Sequence, residues 1–443
     1  MARRICALAL AALMLLALCA CGQTASASTS AAAGSGSAAA SAGSDEPVTL
    51  TFWGHQQDTW NASYQAIADS FHEKYPNITI QYEFYPYDEF ESKVQTSLIS
   101  KTGGADIYEL WGGWGVDFAP TGALAPMPDA MAEEVRSDAY PCTYGALEYD
   151  GKLYGMPQEF NIECGGLLVN KTLLDANGFQ VATTWDELMT QAKAVTKHDG
   201  DVYSVKGFDP VNWDGIPYLF TSMILSQGGQ YLNDDGTFNF TSPEAIKAFT
   251  ELTGLYGTTT DLLGLTGGEG LEGYQQLFSG EVLYVPRGPW AVADGVSTYG
   301  AQYGTDFDYV SMPWYGDKPA FAAESGWAIG VNASSPHQDA AWKFLDYFFS
   351  DDVILSHNVA CGQIPAKKSV AQDPAFVEKM PYAKPLVGIL DDAQFIGYFN
   401  TDKFKEAINN VYVDYCTTKT YASAEDAMKA LEGKLDGITQ KQA

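Results

Sequence analysis

Aromatic and polar side chains recur together in the loops of this 443-residue chain. Gln56, Gln57, Asp58 and Trp60 follow the run Thr49–Trp53. Trp111 and Trp114 bracket Gly112-Gly113, and Glu163 lies seven residues before Asn170. Asn212, Trp213, Asp214 and Tyr218 precede Gly228-Gly229, and Trp290 ends a Gly-Pro-Trp triplet. A ring offers contact area with little rotamer freedom to lose, while carboxylates and amides hold hydroxyls through charge-assisted hydrogen bonds. Rings beside carboxylates also suit an organic cation. Each position has an architectural alternative: Asp58 can cap a helix with Trp60 packed on it, Glu163 can be structural, and Gly-Pro-Trp can serve the fold. Arg287 reads as a structural arginine, or as a partner for an acidic ligand group. Catalytic chemistry is poorly served. No GxSxG, HExxH, P-loop or well-placed GxGxxG occurs. The His residues at 55, 72, 198, 337 and 357 make no pair with metal-ligand spacing, so neither a metal nor a cofactor is expected. Asp351-Asp352 and Asp391-Asp392 are adjacent and diverge, unlike the paired carboxylates of a glycosidase.

The elements that must position these groups alternate between strand and helix. Thr49–Trp53 is a β-rich run, and Asp58 or Thr59 can cap a helix carrying Tyr64, Ile67, Phe71 and Tyr75, stopped by Pro76. Ile78, Ile80, Tyr82 and Phe84 alternate as a strand does; Phe90, Val94 and Leu98 mark a helix; Asp106–Trp111 is a third strand. This order implies a parallel sheet with right-handed crossovers, whose strand ends are where open α/β sheets bind ligands. Later, Gly166–Val169 reads as a strand, and Thr184–Glu187 as a capping box opening a helix to about Lys197. Ser242-Pro243 opens another helix. Asn233–Gly236 is a tight turn without calcium-loop spacing. Ser335-Pro336 starts a helix with Ala340, Phe344 and Phe348 on one face, and Met428, Leu431, Leu435 and Ile438 form a last one.

Length favours two domains, and 55 acidic against 25 basic side chains give a net charge of −30. That charge excludes non-specific nucleic-acid binding and a basic membrane-clinging surface. Arg3-Arg4 precede an apolar run from Ile5 to Ala20, the pattern of a signal peptide. Leu18-Cys19-Ala20-Cys21 resembles the bacterial lipobox, which makes Cys21 a diacylated N-terminus, with a plain Ala-x-Ala cleavage as the alternative. Residues 21–46, rich in Ala, Ser, Gly and Thr, read as a flexible tether. Cys142, Cys164, Cys361 and Cys416 remain, as two disulfides or as buried thiols.

Several separated segments carry a family resemblance. They are Tyr149–Pro157 (YDGKLYGMP), Gly165–Lys171 (GGLLVNK), Thr184–Leu188 (TWDEL), Phe278–Glu281, Gly288–Trp290, Gly326–Asn332 (GWAIGVN), Ser335-Pro336 and Ala340–Leu345. In order and spacing they resemble the family 1 extracellular solute-binding proteins of ABC importers, the maltose-binding group. The resemblance implies an α/β, two-lobed, type II periplasmic-binding-protein-like fold with three inter-lobe crossings, near Asn161–Cys164, Val310–Pro313 and Gly362–Ala366. Residues 47–162 with 312–364 would form the N-lobe, and 163–311 with 365–443 the C-lobe. It further implies a non-enzymatic monomer that takes an extracellular carbohydrate, an oligosaccharide, into its cleft and hands it to the permease subunits of an ABC transporter. Only acylated Cys21 would touch the bilayer, on the outer face of a Gram-positive cell. By motif match, Trp111, Glu163, Tyr218 and Trp290 would contact ligand. Gln56, Gln57, Asp58, Trp60, Trp114, Trp213, Asp214, Trp327 and Tyr398 are further candidates, with Glu324, Phe395 and Phe399 nearby. Polyols, glycerol phosphates, peptides and polyamines stay open as ligands, and so does a secreted carbohydrate-active enzyme or glycan adhesin.

Overall fold

A computed structural model describes residues 46–100, 103–267 and 270–439. The signal sequence, Cys21 and nearly all of the tether lie outside the described residues.

Two five-stranded sheets, each with its own apolar core, build the described chain. The first sheet runs, in spatial order, Ile78–Tyr85, Val48–His55, Ile107–Trp111, Trp327–Val331 and Met156–Pro157. Its three early strands are parallel, as the alternation of strand and helix requires. Trp327–Val331 returns antiparallel to Ile107–Trp111, and sets Trp327 directly opposite Trp111. The second sheet runs Phe307–Ser311, Gly166–Asn170, Val282–Pro286, Val202–Phe208 and Lys197–Asp199. Gly166–Asn170 is wholly buried, as its unbroken apolar run demands.

The chain passes from the first sheet to the second after Met156–Pro157, returns between Phe307–Ser311 and Trp327–Val331, and leaves again past Ile364–Pro365. These connections touch. Glu159–Phe160 pairs antiparallel with Ile364–Pro365, and Phe160 also bridges to Ser325. The result is a two-lobed α/β fold with three crossings held side by side.

Local signals explain most element ends, and a few differ from expectation. Ser242 and Thr184 accept hydrogen bonds from the third residue of their helices. The Glu187 carboxylate, however, reaches Thr183 rather than Thr184. That helix stops at Val195, because Lys197–Asp199 is drawn into a hairpin with Val202–Phe208. The Asp58–Lys74 helix has Gln57 at its N-cap without side-chain capping. Asp58 lies inside the first turn, where its charge faces the positive helix end. The helix expected at Ser335-Pro336 begins at Gln338, since the Ser335 hydroxyl is engaged by Asp106 at 2.6 Å and His337 N–H at 3.0 Å. The last helix ends at Leu435, short of Ile438. Cys142, Cys164, Cys361 and Cys416 are free thiols, the first three buried. Among the described residues, no helix is long and apolar enough to cross a membrane, and no group of His, Cys, Asp and Glu is placed to hold a metal ion.

Candidate functional site

The ends of the first lobe's strands, the crossings and three segments of the second lobe border a cavity of about 220 Å³. Gln57, Trp60, Tyr87, Trp111 and Trp327 line it from the first lobe. Glu159, Asn161, Glu163 and Gln363 line it at the crossings, and Trp213, Asp214, Trp290 and Lys405 from the second lobe. A second cavity of about 420 Å³ shares Trp213 with it and is bordered by Asp117, Asn400 and Asp402.

Trp327 is the hub of the aromatic wall. Its ring stacks on His55 at 4.3 Å between centroids and 11° between planes. Trp111 meets it edge-on at 5.2 Å, and Trp60, Trp114 and Tyr87 at 6.1–6.3 Å. His55 is itself fixed, its Nδ1 2.8 Å from Glu109 and its Nε2 3.2 Å from Gln57. The Trp111 loop lies tight against the second crossing. A Cβ on Gly112 would sit 2.0 Å from the Ser325 carbonyl oxygen, and one on Gly113 2.3 Å from the Thr401 hydroxyl. The two glycines between two tryptophans are thus a packing requirement that lets the Trp111 indole N–H donate to Glu324 at 2.8 Å.

The opposite wall is charged. Trp290 donates its indole N–H to Glu163 at 2.8 Å, and Arg287 lies 5.9 Å from the Trp290 ring centroid, paired with Glu272 at 3.2 Å. Lys405, 3% exposed at its side chain, lies 3.0 Å from Asp214, 3.4 Å from Asp402 and 3.6 Å from Glu324. Glu324 also accepts the Thr401 hydroxyl. Burial opposes the charge on Lys405, but these carboxylates hold its ammonium well above the ordinary lysine range. Burial pushes Glu324 up to about 7, with Lys405 and Thr401 pulling the other way. It pushes Glu159 up to about 8, helped by Glu163, Glu109 and Glu324 against one hydrogen bond from Trp327 N–H. Glu163 is raised by burial and by Asp214, with Arg287 and Trp290 opposing.

Glu159 therefore binds a proton in the folded state at pH values where the unfolded chain, with an ordinary value of 4.5, does not. Its stability contribution is complete below 4.5 and lost as pH rises through about 8. Glu324 acts in the same direction, and so does His55, which burial lowers but Glu109 and Gln57 together raise above its ordinary value. Burial lowers His357 to about 3, so its contribution is already complete above 6.5 and does not interfere. The empty protein is expected to lose stability between pH 6.5 and 8. Glu159→Gln should remove on the order of 1–2 kcal/mol of that loss in urea unfolding at the two pH values; an unchanged slope would refute the assignment.

Of the residues singled out from sequence, Gln57, Trp60, Trp111, Glu163, Trp213, Asp214, Trp290 and Trp327 line the cavity together. Gln56 and Asp58 are exposed beside it and do not line it. Trp114 is 2% exposed and belongs to the first lobe's core. Tyr218 is buried in the second core, its ring 6.0 Å from the Lys405 ammonium. Tyr398 packs with Val116 and Ala146 away from the lining. The cavity adds Tyr87, Glu159, Asn161, Gln363 and Lys405. For Lys405 a signal was present: Thr401, Lys405 and Asn409 form a polar stripe at four-residue spacing beside apolar Phe404, Ile408 and Tyr412.

The family described as bacterial extracellular solute-binding protein matches residues 55–354. A binding protein of Brucella abortus (strain 2308) is 25% identical over 340 residues, covering 75% of this chain and 79% of the relative. The maltotriose-binding protein of Pyrococcus abyssi is 24% identical over 337 residues, covering 73% and 68%. Among solved structures, the GacH receptor of Streptomyces glaucescens, crystallised without ligand and with acarbose, superposes with a TM-score of 0.74 at 23% identity, covering 90% of this chain and all of that one.

Proposed function

Because the chain belongs to the bacterial extracellular solute-binding protein family, we propose that it captures a carbohydrate, specifically an oligosaccharide, between its lobes and delivers it to the permease subunits of an ABC transporter. The observation that carries this reading is the cavity itself. Trp111, Trp213, Trp290 and Trp327 supply ring area, backed by the buried Trp60, and Gln57, Asn161, Glu163 and Asp214 supply hydrogen-bonding groups around them. Sugar rings present a CH face and a rim of hydroxyls, and this wall matches both. The adjoining cavity beyond Trp213 gives a longer chain room to continue. The maltotriose-binding relative supports the same class.

On this reading the lobes comprise residues 47–162 with 312–364 and residues 163–311 with 365–443. The paired crossings at Phe160 act as hinges, and closure over ligand creates the form a permease recognises. Leu18–Cys21 supports cleavage and diacylation at Cys21, anchoring a monomer outside the membrane of a Gram-positive cell through the 22–46 tether. The protein performs no chemistry on its ligand.

Calorimetric titration with maltotriose, lactose and other neutral di- to tetrasaccharides is the test. At least one is expected to bind with a micromolar or tighter dissociation constant and to be recovered intact after incubation. Silence across the panel would overturn the carbohydrate reading, and hydrolysis by pure protein would instead support an enzyme.

A further inference from the structure

We propose that the saccharide carries a cationic amine, and that Glu159, with Glu163 and Gln363, is the receptor for it. The inference rests on the carbohydrate reading above and narrows its ligand class. Glu159 is 1% exposed yet lines the cavity. Its Oε1 accepts the Trp327 N–H at 2.9 Å, while its Oε2 has no hydrogen-bond partner. Gln363 Oε1, also buried and lining the cavity, has none either. Neither oxygen is committed to a partner within the fold, so both are open to a group that enters the cavity.

Charge decides which donor. The groups that act on Glu159 from the surrounding elements are Glu163, Glu109, Glu324 and the Cys361 thiol, none of them a cation. The nearby cations are already engaged: Lys405 by Asp214, Glu324 and Asp402, and Arg287 by Glu272. His55 is held by Glu109 and Gln57. A hydroxyl would give Glu159 a dipole but leave its ionised form disfavoured by repulsion from Glu163. An ammonium supplies three donors and neutralises that repulsion, and Trp290 and Trp327 line the same cavity. In the empty cavity Glu159, pushed up to about 8, carries a proton at neutral pH. An ammonium beside it stabilises the carboxylate, so one proton leaves Glu159 for solvent as the ammonium–carboxylate pair forms.

The test is calorimetric titration at pH 7 in phosphate and in Tris, whose ionisation heats differ. The probes are pairs of saccharides that differ only in carrying an amine or a hydroxyl at one carbon: glucosamine and glucose, and β-1,4 glucosamine oligomers and cello-oligosaccharides of two to four units. Spermidine serves as a cation without a sugar ring. The aminated partner is expected to bind about tenfold or more tightly, with the Glu159 proton released to solvent for the fraction of amine that is already protonated at pH 7 and transferred to the amine for the rest. Glu159→Gln should remove that preference and the proton release while leaving the thermal midpoint at pH 7 unchanged or higher. Equal or tighter binding of the hydroxyl partner, without proton release, would overturn the inference and leave the carbohydrate reading standing. Spermidine binding with every saccharide silent, or silence from all probes, would overturn both.

Discussion

Trp111→Ala is expected to weaken saccharide binding by about 100-fold, with only a small shift in the thermal midpoint. Truncating a central ring in a desolvated pocket typically costs 2–4 kcal/mol of binding free energy. Trp111 faces the cavity and is only partly buried, so removing it exposes little core. It also holds two neighbours. Its indole N–H donates to Glu324 at 2.8 Å, and the Lys405 ammonium lies 5.6 Å from its ring centroid. Trp111→Phe separates these roles: it keeps a ring but gives up the hydrogen bond, and should recover most of the affinity. Trp114→Ala is the contrast. That ring is 2% exposed against Phe90 and Trp327, so its loss should cost about 3–5 kcal/mol of stability. Calorimetry and urea unfolding on the three variants decide the matter. Severe unfolding of Trp111→Ala, or unimpaired binding by it, would remove Trp111 from the site.

The contrast between Trp111 and Trp114 also marks how far the sequence carries. The fold was legible because each lobe repeats strand–helix alternation with strong end signals: Ser242-Pro243, Thr184, and the buried run Gly166–Asn170. Motif order then placed the crossings. What local pattern could not give was which of two neighbouring rings points inward. Trp111 ends a strand and Trp114 lies one helical turn later, so their directions depend on where Ser325 and Thr401 approach, more than two hundred residues away. Tyr218 failed for a similar reason: the whole Gly215–Ser226 helix is buried, and burial on every side turns an attractive ring into core. Carboxylates and lysines are usually solvated, so Glu159 gives no local signal and Lys405 gives only the polar stripe it shares with Thr401 and Asn409; tertiary packing alone brings these two under cover. The same long-range approach that hid them from local reading gives them their energetic weight.

Lys405 carries the largest expected effect on stability. It sits on the Thr401–Thr417 helix, whose neighbouring face packs into the second core, and its ammonium gathers Asp214, Asp402 and Glu324. Lys405→Met keeps much of the side-chain volume and removes the charge. Glu324 is then buried at 1% exposure with the Trp111 and Thr401 donors but no cation. Breaking one partner out of a buried ion pair costs about 3–5 kcal/mol, because an uncompensated charge is left in low dielectric. Glu324, already near 7, has an escape: it takes up a proton, so the loss should be smaller at pH 6 than at pH 8. Glu324→Gln in the Lys405→Met background should restore part of the stability at pH 8, since a neutral amide needs no counter-ion. Urea unfolding of the four proteins in that double-mutant cycle, at both pH values, measures the coupling directly. A cycle with additive single effects and no dependence on pH would mean that water, rather than Lys405, neutralises this end of the cavity.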